Sequence, residues 1–334
     1  MKILQVATSL PEPCGVGNFA RSLGVSLSSA GAGVTTVTTP AEAAGASADI
    51  TLVHHEWGLF SSDDEFRSLC RASPQPVVVF GHSSGIERFG DVAAGFMTMC
   101  EGMVSKGTLP VLTFAHPAFV PAKLESRDSL RRQFALPRRR LVLGTSGFLR
   151  SDHEFPEVVE ALLPEAVAHD WLITLVTSRW YRKCEDVETA LFSLVRRHPD
   201  HLRVGLRFLS QLELNHRLQA CDLLWCWSGT RSAPYGSGTA SEQYASGSRM
   251  VVADTLQHEH VLALPNVVRA PALRGQFVNA ILAEMSLGVR TRHDPRPVSW
   301  DSPVATILSF LSRILNHAFP EDLPDLQPLA KGPD

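Results

Sequence analysis

The sequence has no surplus of positive charge: its Lys and Arg total 31 against 34 Asp and Glu in 334 residues, a formal net charge of −3. A chain that neutralises phosphates along a nucleic acid, or docks on an anionic membrane, needs a basic excess. Nucleic acid and strong membrane association are therefore not expected among its partners. No apolar run approaches the roughly 20 residues needed to span a bilayer. Met1-Lys2-Ile3-Leu4 leads straight into a strand-like run, without the leader of a secreted protein, so a cytoplasmic location is expected. The six cysteines (Cys14, Cys70, Cys100, Cys184, Cys221 and Cys226) include no pair with the two-residue gap of a zinc or redox motif. They read as reduced thiols. What remains is an ordinary globular balance, 44% hydrophobic and 19% charged, in a chain whose length suits two domains.

Strands alternate with helical stretches along the first part. Apolar runs at Ile3–Ala7, Val34–Val37, Ile50–Val53, Val77–Phe80 and Val111–Phe114 read as buried strands. Helices are expected from about Asn18 to Gly31 and over Glu65–Arg71 and Val92–Cys100. This pattern predicts a parallel, doubly wound sheet. The first strand empties into a loop with two prolines and the glycines Gly15 and Gly17 around Val16. That spacing lacks the third glycine of the dinucleotide fingerprint, yet it places backbone N–H groups at a strand's carboxyl end, where open α/β sheets bind ligands. The later strands deliver histidines to the same edge: His54 and His55 before Glu56, then His82, then His116. Several histidines on one rim suggest a site. No spaced carboxylate or thiol completes a zinc ligand set, so no metal is expected.

A basic, helical connector, Arg127 to Leu136 followed by Pro137-Arg138-Arg139-Arg140, reads as a solvated linker face and marks the expected domain boundary. The predicted division is 1–137, 138–299, a last helix over 300–319 and a proline-rich tail over 320–334. The second half opens with the strand Leu141–Leu143 and a glycine loop bracketed by Gly144 and Gly147, then a helix carrying Phe155, Val158, Val159, Leu162 and Leu163 on one face. Strands follow at Leu172–Val176, Leu202–Leu209, Leu223–Trp227, Met250–Ala253 and Val267–Val268, with helices at Val187–Arg197, Leu212–Ala220 and Leu273–Met285. Between Trp227 and Asp254 runs a strand, a loop rich in Gly and Ser, a short helix and a strand. The loop amides of Gly236, Ser237, Gly238 and Thr239, ahead of a helix, form a seat for an anion such as a phosphate. The single carboxylate in that helix, Glu242, can accept hydrogen bonds from a sugar's vicinal hydroxyls. An ordinary strand–loop–helix connection with a surface Glu would read the same.

Taken together these segments resemble the GT-B glycosyltransferases of the large group-1 class (family 4), over Met1 to about Asn316. The resemblance rests on M-K-I-L-Q-V-A-T-S-L-P-E-P-C-G-V-G-N-F-A-R-S-L, on H-E-W-G-L-F and His82, on L-G-T-S-G-F-L-R-S-D-H-E-F-P-E-V-V-E-A-L, on S-E-Q-Y-A-S-G-S-R-M-V-V-A-D, and on S-W-D-S-P-V-A-T-I-L. It implies two Rossmann-like α/β domains facing a cleft, with a nucleotide sugar bound by the second and an acceptor by the first. The last helix is implied to cross back to the first domain. By the same resemblance Glu242 matches the acid that holds the nucleotide ribose, Gly15 to Gly17 the loop near the diphosphate, and His82 a histidine near the transferred sugar. The chain departs from the pattern at Pro234, where the class has the first of two acids, and at Phe148 and His153, where it has an Arg and a Lys on the diphosphate. A histidine is a weaker, pH-dependent cation. Arg150, Arg179, Arg182, Lys183 and Arg231 could supply charge instead.

The expected activity is transfer of a hexosyl or uronosyl group from a nucleotide diphosphate sugar, a UDP-sugar first, to a small soluble acceptor, with His82, His55 and Glu56 as catalytic candidates and no cofactor. A site without its first acid suits an acidic donor such as UDP-glucuronate, because two carboxylates would repel. Natural-product or nucleoside-antibiotic assembly, with a base such as cytosine as acceptor, is one candidate setting. The alternative is a degenerate sugar- or nucleotide-binding partner of another transferase. A nicotinamide oxidoreductase is disfavoured by the missing third glycine in both loops.

Overall fold

A computed structural model describes residues 1–10, 14–100, 103–104, 107, 109–179, 184–229, 236–288 and 291–316. Arg182, Lys183, Arg231, Pro234 and the tail from 320 lie outside the described residues. The described residues divide into two compact units: those of 1–116 with Gly236 and 300–316, and those of 117–229 with 237–299.

In the first unit β1 (Lys2–Val6), α1 (Gly15–Ser29), β2 (Gly33–Val37), α2 (Pro40–Ala44), β3 (Ile50–His55), α3 (Asp63–Ala72), β4 (Val77–Gly81), β5 (Gly95–Thr98) and β6 (Val111–Thr113) build one six-stranded sheet in the order β2-β1-β3-β4-β5-β6. Every pairing is parallel. Side chains alternate across the strands. Ile3 of β1 joins Phe19, Leu23 and Leu27 of α1 on one face, whereas Leu4 and Val6 join Phe66 and Leu69 of α3 on the other. The helix expected over Val92–Cys100 is in fact β5. Its residues are buried on both sides, and a continuous apolar run of that length carries no period that separates strand from helix.

In the second unit α4 (Arg127–Gln133) precedes β7 (Val142–Leu149), α5 (Phe155–Ala168), β8 (Leu172–Arg179), α6 (Glu185–Arg197), β9 (Leu202–Leu206), α7 (Gln211–Gln219), β10 (Leu223–Cys226), α8 (Gly238–Ala245), β11 (Arg249–Ala253), α9 (Glu259–Leu262), β12 (Val267–Ala270) and α10 (Arg274–Ser286). Its sheet runs β12-β11-β10-β7-β8-β9, again parallel throughout. Helices α5, α6 and α10 cover one face, α7 and α8 the other. Gly144 and Gly147 do not bracket a loop: both lie within β7, and a Cβ on Gly144 would overlap Cys221 Sγ at the end of α7.

The change of unit falls between His116 and Pro117, not at the arginine run. Buried Arg131 of α4 is the reason. It pairs with buried Asp222 ahead of β10, and its Nε donates to Ala220 O at 3.0 Å. The segment before 137 is thereby fastened to the second sheet. Helix α11 (Asp301–Leu315) returns to the first unit, where Ile307, Leu311 and Ile314 pack in the core beside α1.

Candidate active site

In an open parallel sheet, ligands bind outside the carboxyl ends of the strands, where neighbouring connections leave in opposite directions. In the first sheet that place is the β1/β3 border, because β1 pairs with β2 on one side and β3 on the other. In the second it is the β7/β10 border, because β7 pairs with both β10 and β8.

At the first border the loop after β1 lies on the opening turn of α1. A Cβ on Gly17 would stand 2.8 Å from Ser9 O, so only glycine lets the two backbones approach this closely. The helix begins at Gly15, Val16 and Gly17 after an N-cap residue, Cys14, whose side chain makes no capping bond. The three amides thus open the helix at the sheet edge, in the manner of an anion seat.

The histidines stand beside this loop. Adjacent strand residues face opposite sides, and this separates His54 from His55. His54 is buried against Phe19 and Phe80, and its Nδ1 lies 2.9 Å from His82 Nε2. His55 turns the other way, into a nest of Phe66, Phe89 and Trp57. His82 therefore has His54, not His55, as its side-chain partner; its link to His55 is a backbone bond, His82 N–H to His55 O at 2.9 Å. His116 also approaches: its ring is 5.1 Å from that of Phe19, which touches His82 as well. Glu56 follows His55 and is half-buried.

Burial keeps His54, His55 and His82 neutral. It pulls His54 down to about 3 and His55 to about 4. His82 falls well below the usual imidazole range, from burial first and then from repulsion by His54, His116 and His55. Among the described residues, five polar atoms of this rim are enclosed without a hydrogen-bond partner: Thr8 Oγ1, Ser9 Oγ, His54 Nε2, His55 Nδ1 and Ser83 Oγ. Buried polar groups are ordinarily satisfied. Sequence reasoning passed over Thr8, Ser9 and Ser83 because small hydroxyl residues in a loop carry no spacing signal. It grouped His54 with its neighbour, although alternation along a strand already separates adjacent side chains.

At the second border the pieces come from β7, β10 and β11. Gly147 has φ +140°, and a Cβ there would stand 3.5 Å from Thr239 Oγ1 and from Phe155. The end of β7 thus lies against the first turn of α8. Ser237 caps that helix by accepting from Ala240 N–H at 3.2 Å, ahead of Gly238 and Thr239. Gly236 groups with the first unit, where a Cβ would meet Met99 O. His153 donates Nδ1–H to Phe148 O at 2.9 Å, so Nε2 carries a proton only when the ring is charged. Arg150 precedes the short turn that leads to α5. Arg179 ends β8 opposite Leu149, 72% exposed, and its guanidinium is engaged by Glu188 at 2.9 and 2.7 Å.

Glu242 is held by the Phe119 N–H and the Gln211 side chain, yet burial dominates and raises its carboxyl to about 8. Its Oε2 is enclosed without a partner. The adjoining Gln243 donates to Thr145 Oγ1 at 3.3 Å, which in turn donates to Trp225 O at 2.7 Å. His258, after β11, approaches Cys226 Sγ at 3.5 Å and is pulled down to about 4 by burial.

No family profile and no curated protein matches the sequence. Solved structures do match the fold. The catalytic domain of starch synthase IV from Arabidopsis thaliana, bound to ADP and acarbose, superimposes with a TM-score of 0.69 at 12% identity, over 94% of this chain and 99% of that one. Anabaena HepE in complex with UDP-glucose gives 0.66 at 14% identity, over 93% and 100%. A glycosyltransferase from Rickettsia africae gives 0.63 at 11%, over 95% and 96%. The chain has the GT-B fold: two parallel α/β sheets, as the sequence resemblance implied.

Proposed function

We propose that this chain is a glycosyltransferase that moves a sugar from a nucleotide diphosphate donor, a UDP-sugar first, to a small soluble acceptor. The observation that carries the reading is the β7/β10 border of the second sheet. There Gly147 lies against the capped start of α8 at a strand's end, and Glu242 of the same helix has a buried oxygen without a partner. Backbone amides at the helix start suit a diphosphate. Glu242 Oε2 suits a ribose hydroxyl, which would supply its missing partner. Neighbours of the same fold that hold UDP-glucose or ADP support the choice of ligand.

In the transfer, an acceptor atom bonds to the sugar's anomeric carbon, the bond from that carbon to the diphosphate breaks, and the acceptor proton passes to an oxygen of the departing diphosphate. A ring held neutral by burial and by a neighbouring imidazole is a poor proton acceptor. His82 accordingly orients the sugar by hydrogen bonding. Negative charge on the departing diphosphate is met by helix-terminal amides, by Arg150 and by His153, without a metal.

Arg150, together with Pro234 in the place of the pattern's first acid, makes a uronate donor the finer reading: Arg150→Ala should then cost more with UDP-glucuronate than with UDP-glucose. The test of the whole is calorimetry with UDP, GDP, ADP, TDP and CMP, each with its sugar conjugates. Selective affinity for one nucleotide, lost in Glu242→Ala, upholds the reading. Affinity for none sinks it and favours the second reading, a binding partner of another transferase. What supports that second reading is Arg179, whose charge is already committed to Glu188.

A further inference from the structure

At the amino end of β10, the far end of the strand from the donor loops, three guanidiniums gather around one carboxylate. Arg127 and Arg131 come from α4, Arg292 from the segment after α10, and Asp222 stands just ahead of the strand. All four belong to the second unit. Asp222 Oδ2 accepts from Arg131 and, at 2.7 Å, from Val142 N–H. Its Oδ1 lies 3.3 Å from Arg127 Nη1, an ion pair without the geometry of a hydrogen bond. Among the described residues Arg292 is held by oxygens of neutral groups rather than by a carboxylate. It donates Nη2–H to Gln219 O at 2.5 Å, and Nη1–H to Glu125 O and, at 3.5 Å, to Gln219 Oε1.

Three positive charges thus face one negative charge. The carbonyl end of α7 offsets part of the excess, because Ala220 O accepts from Arg131 and Gln219 O from Arg292, and a helix end carries roughly half a charge. More than one positive charge is left, and charge without a counter-charge is costly where water is excluded. Arg292 registers that cost: burial, then repulsion by Arg127 and Arg131, pulls its guanidinium down to about 10. Arg127 is lowered too, by burial first. The neighbouring Cys221 supplies no compensation, since burial and Asp222 push its thiol up to about 12 and keep it neutral.

The cluster reaches solvent through two of its arginines. Arg127 keeps 16% of its side-chain surface, and although its Nε is enclosed without a partner, its terminal nitrogens are not. Arg292 is half-buried. Guanidinium N–H groups, set in a rigid fork, match the oxygens of an oxyanion two at a time. A monoanion would remove only part of the excess. A phosphate group, with about −1.5 to −2 charges near pH 7, removes nearly all of it. We propose that Arg127 and Arg292 bind a phosphate group at this end of the second sheet, free or carried on a metabolite, as the counter-charge that the cluster lacks. The site is separate from the donor loops and depends on nothing in the transferase reading.

The test is thermal unfolding of the full chain in a chloride buffer at constant ionic strength, with inorganic phosphate added. Wild type should show a saturable rise in Tm, about 3 °C at tenfold excess over Kd. Sulfate should act in the same way and acetate should not. Arg127→Gln and Arg292→Gln should each lose the rise, judged against the variant's own Tm without phosphate; if one of them fails to fold, the other decides. Calorimetry should show the phosphate Kd weakened tenfold or more in either. Arg150→Ala, at the opposite end of the sheet, should keep the rise. A rise lost in Arg150→Ala but kept in Arg127→Gln places the phosphate at the donor loops and overturns the proposal. So does a rise that grows linearly with salt and is equal in all variants, which is the general exclusion of such ions from protein surface. The absence of any rise overturns it as well. Glucose 1-phosphate then identifies the source. Action at lower concentration than inorganic phosphate assigns the site to a phosphorylated metabolite, and equal or weaker action assigns it to the free ion.

Discussion

His54 Nδ1 and His82 Nε2 are 2.9 Å apart and share a single hydrogen. Two imidazolium rings at that distance would place two donors against each other, so the pair tolerates at most one charge. Burial removes even that one, holding His54 near 3 and His82 well below its ordinary range. Ring nitrogen NMR should therefore show both in neutral form at pH 5.5, where exposed histidines have titrated. His82→Phe should lower kcat/KM at least about tenfold, the loss of one hydrogen bond worth roughly 1.5 kcal/mol. His54→Phe should cost less, leave the donor KM unchanged, and free the tautomer of His82 in the same spectra. A His82 that titrates near 6.5 in the wild type would refute the neutral pair.

The buried ionisable groups set the acid response of the fold, and they act in opposite directions. His54, His55 and His258 titrate near 3, 4 and 4 when folded but near 6.5 when unfolded. Below pH 6.5 the unfolded chain binds the extra protons, so stability falls, by about 1.4 kcal/mol per group and pH unit. Over pH 7.5 to 5.5 these three remove roughly 4 kcal/mol, and His82 acts in the same sense. Glu242 is raised to about 8, so over this range the folded state binds its proton and acidification returns roughly 2.5 kcal/mol. Glu242→Gln should therefore steepen the loss of stability between pH 7.5 and 5.5, measured by urea unfolding. An unchanged slope would show that the carboxyl is not raised.

How far the sequence foretold this arrangement depends on which signal each residue carries. The six strands of the second sheet and the helices α5, α6, α7 and α10 were legible, because apolar runs and one-sided helical faces report burial directly. β5 was not, because Gly95-Phe96-Met97-Thr98 is apolar on both faces. The glycine of β7 was noticed but misplaced: Gly144 serves the packing of Cys221 rather than a turn. His82 was found by its place after a strand, while its partner was missed, because only the pleat tells His54 from His55. Arg131 was read as part of a solvated basic run. Nothing local distinguishes it from Arg132, and its carboxylate partner lies 91 residues further along.

That arginine carries a stability prediction. Asp222 has 2% side-chain exposure and accepts from Arg131 and, at 2.7 Å, from Val142 N–H, with Arg127 at 3.3 Å. Asp222→Ala leaves two guanidiniums in a buried place without their counter-charge. Removing one partner of a buried pair costs about 3–5 kcal/mol, whereas replacing both by apolar residues is often nearly neutral. Asp222→Ala should therefore lower unfolding stability by that amount, and Asp222→Leu with Arg131→Met should recover most of it. Because Arg131 fastens α4 to the second sheet, the single variant should also expose 127–136 to proteolysis. A loss under 1 kcal/mol in the single variant would mean that the helix-end carbonyls around Arg131, Ala220 O among them, already balance the charge.

The donor loops allow two substitutions with opposite expected signs in one assay. Gly147 holds φ +140° beside Thr239. A side chain there is strained by about 1–3 kcal/mol whatever space surrounds it, and relief would move the end of β7 away from the start of α8. Gly147→Ala should weaken UDP binding about tenfold or more. His153 already has its Nδ1–H committed to Phe148 O, so it offers a diphosphate charge only when protonated. Lysine at that position is charged throughout the neutral range. His153→Lys should tighten UDP about tenfold at pH 8. Two variants moving affinity in opposite directions place the diphosphate between β7 and α8. If neither moves it, the anion does not sit there, and the strain at Gly147 serves the packing of Thr239 and Phe155 alone.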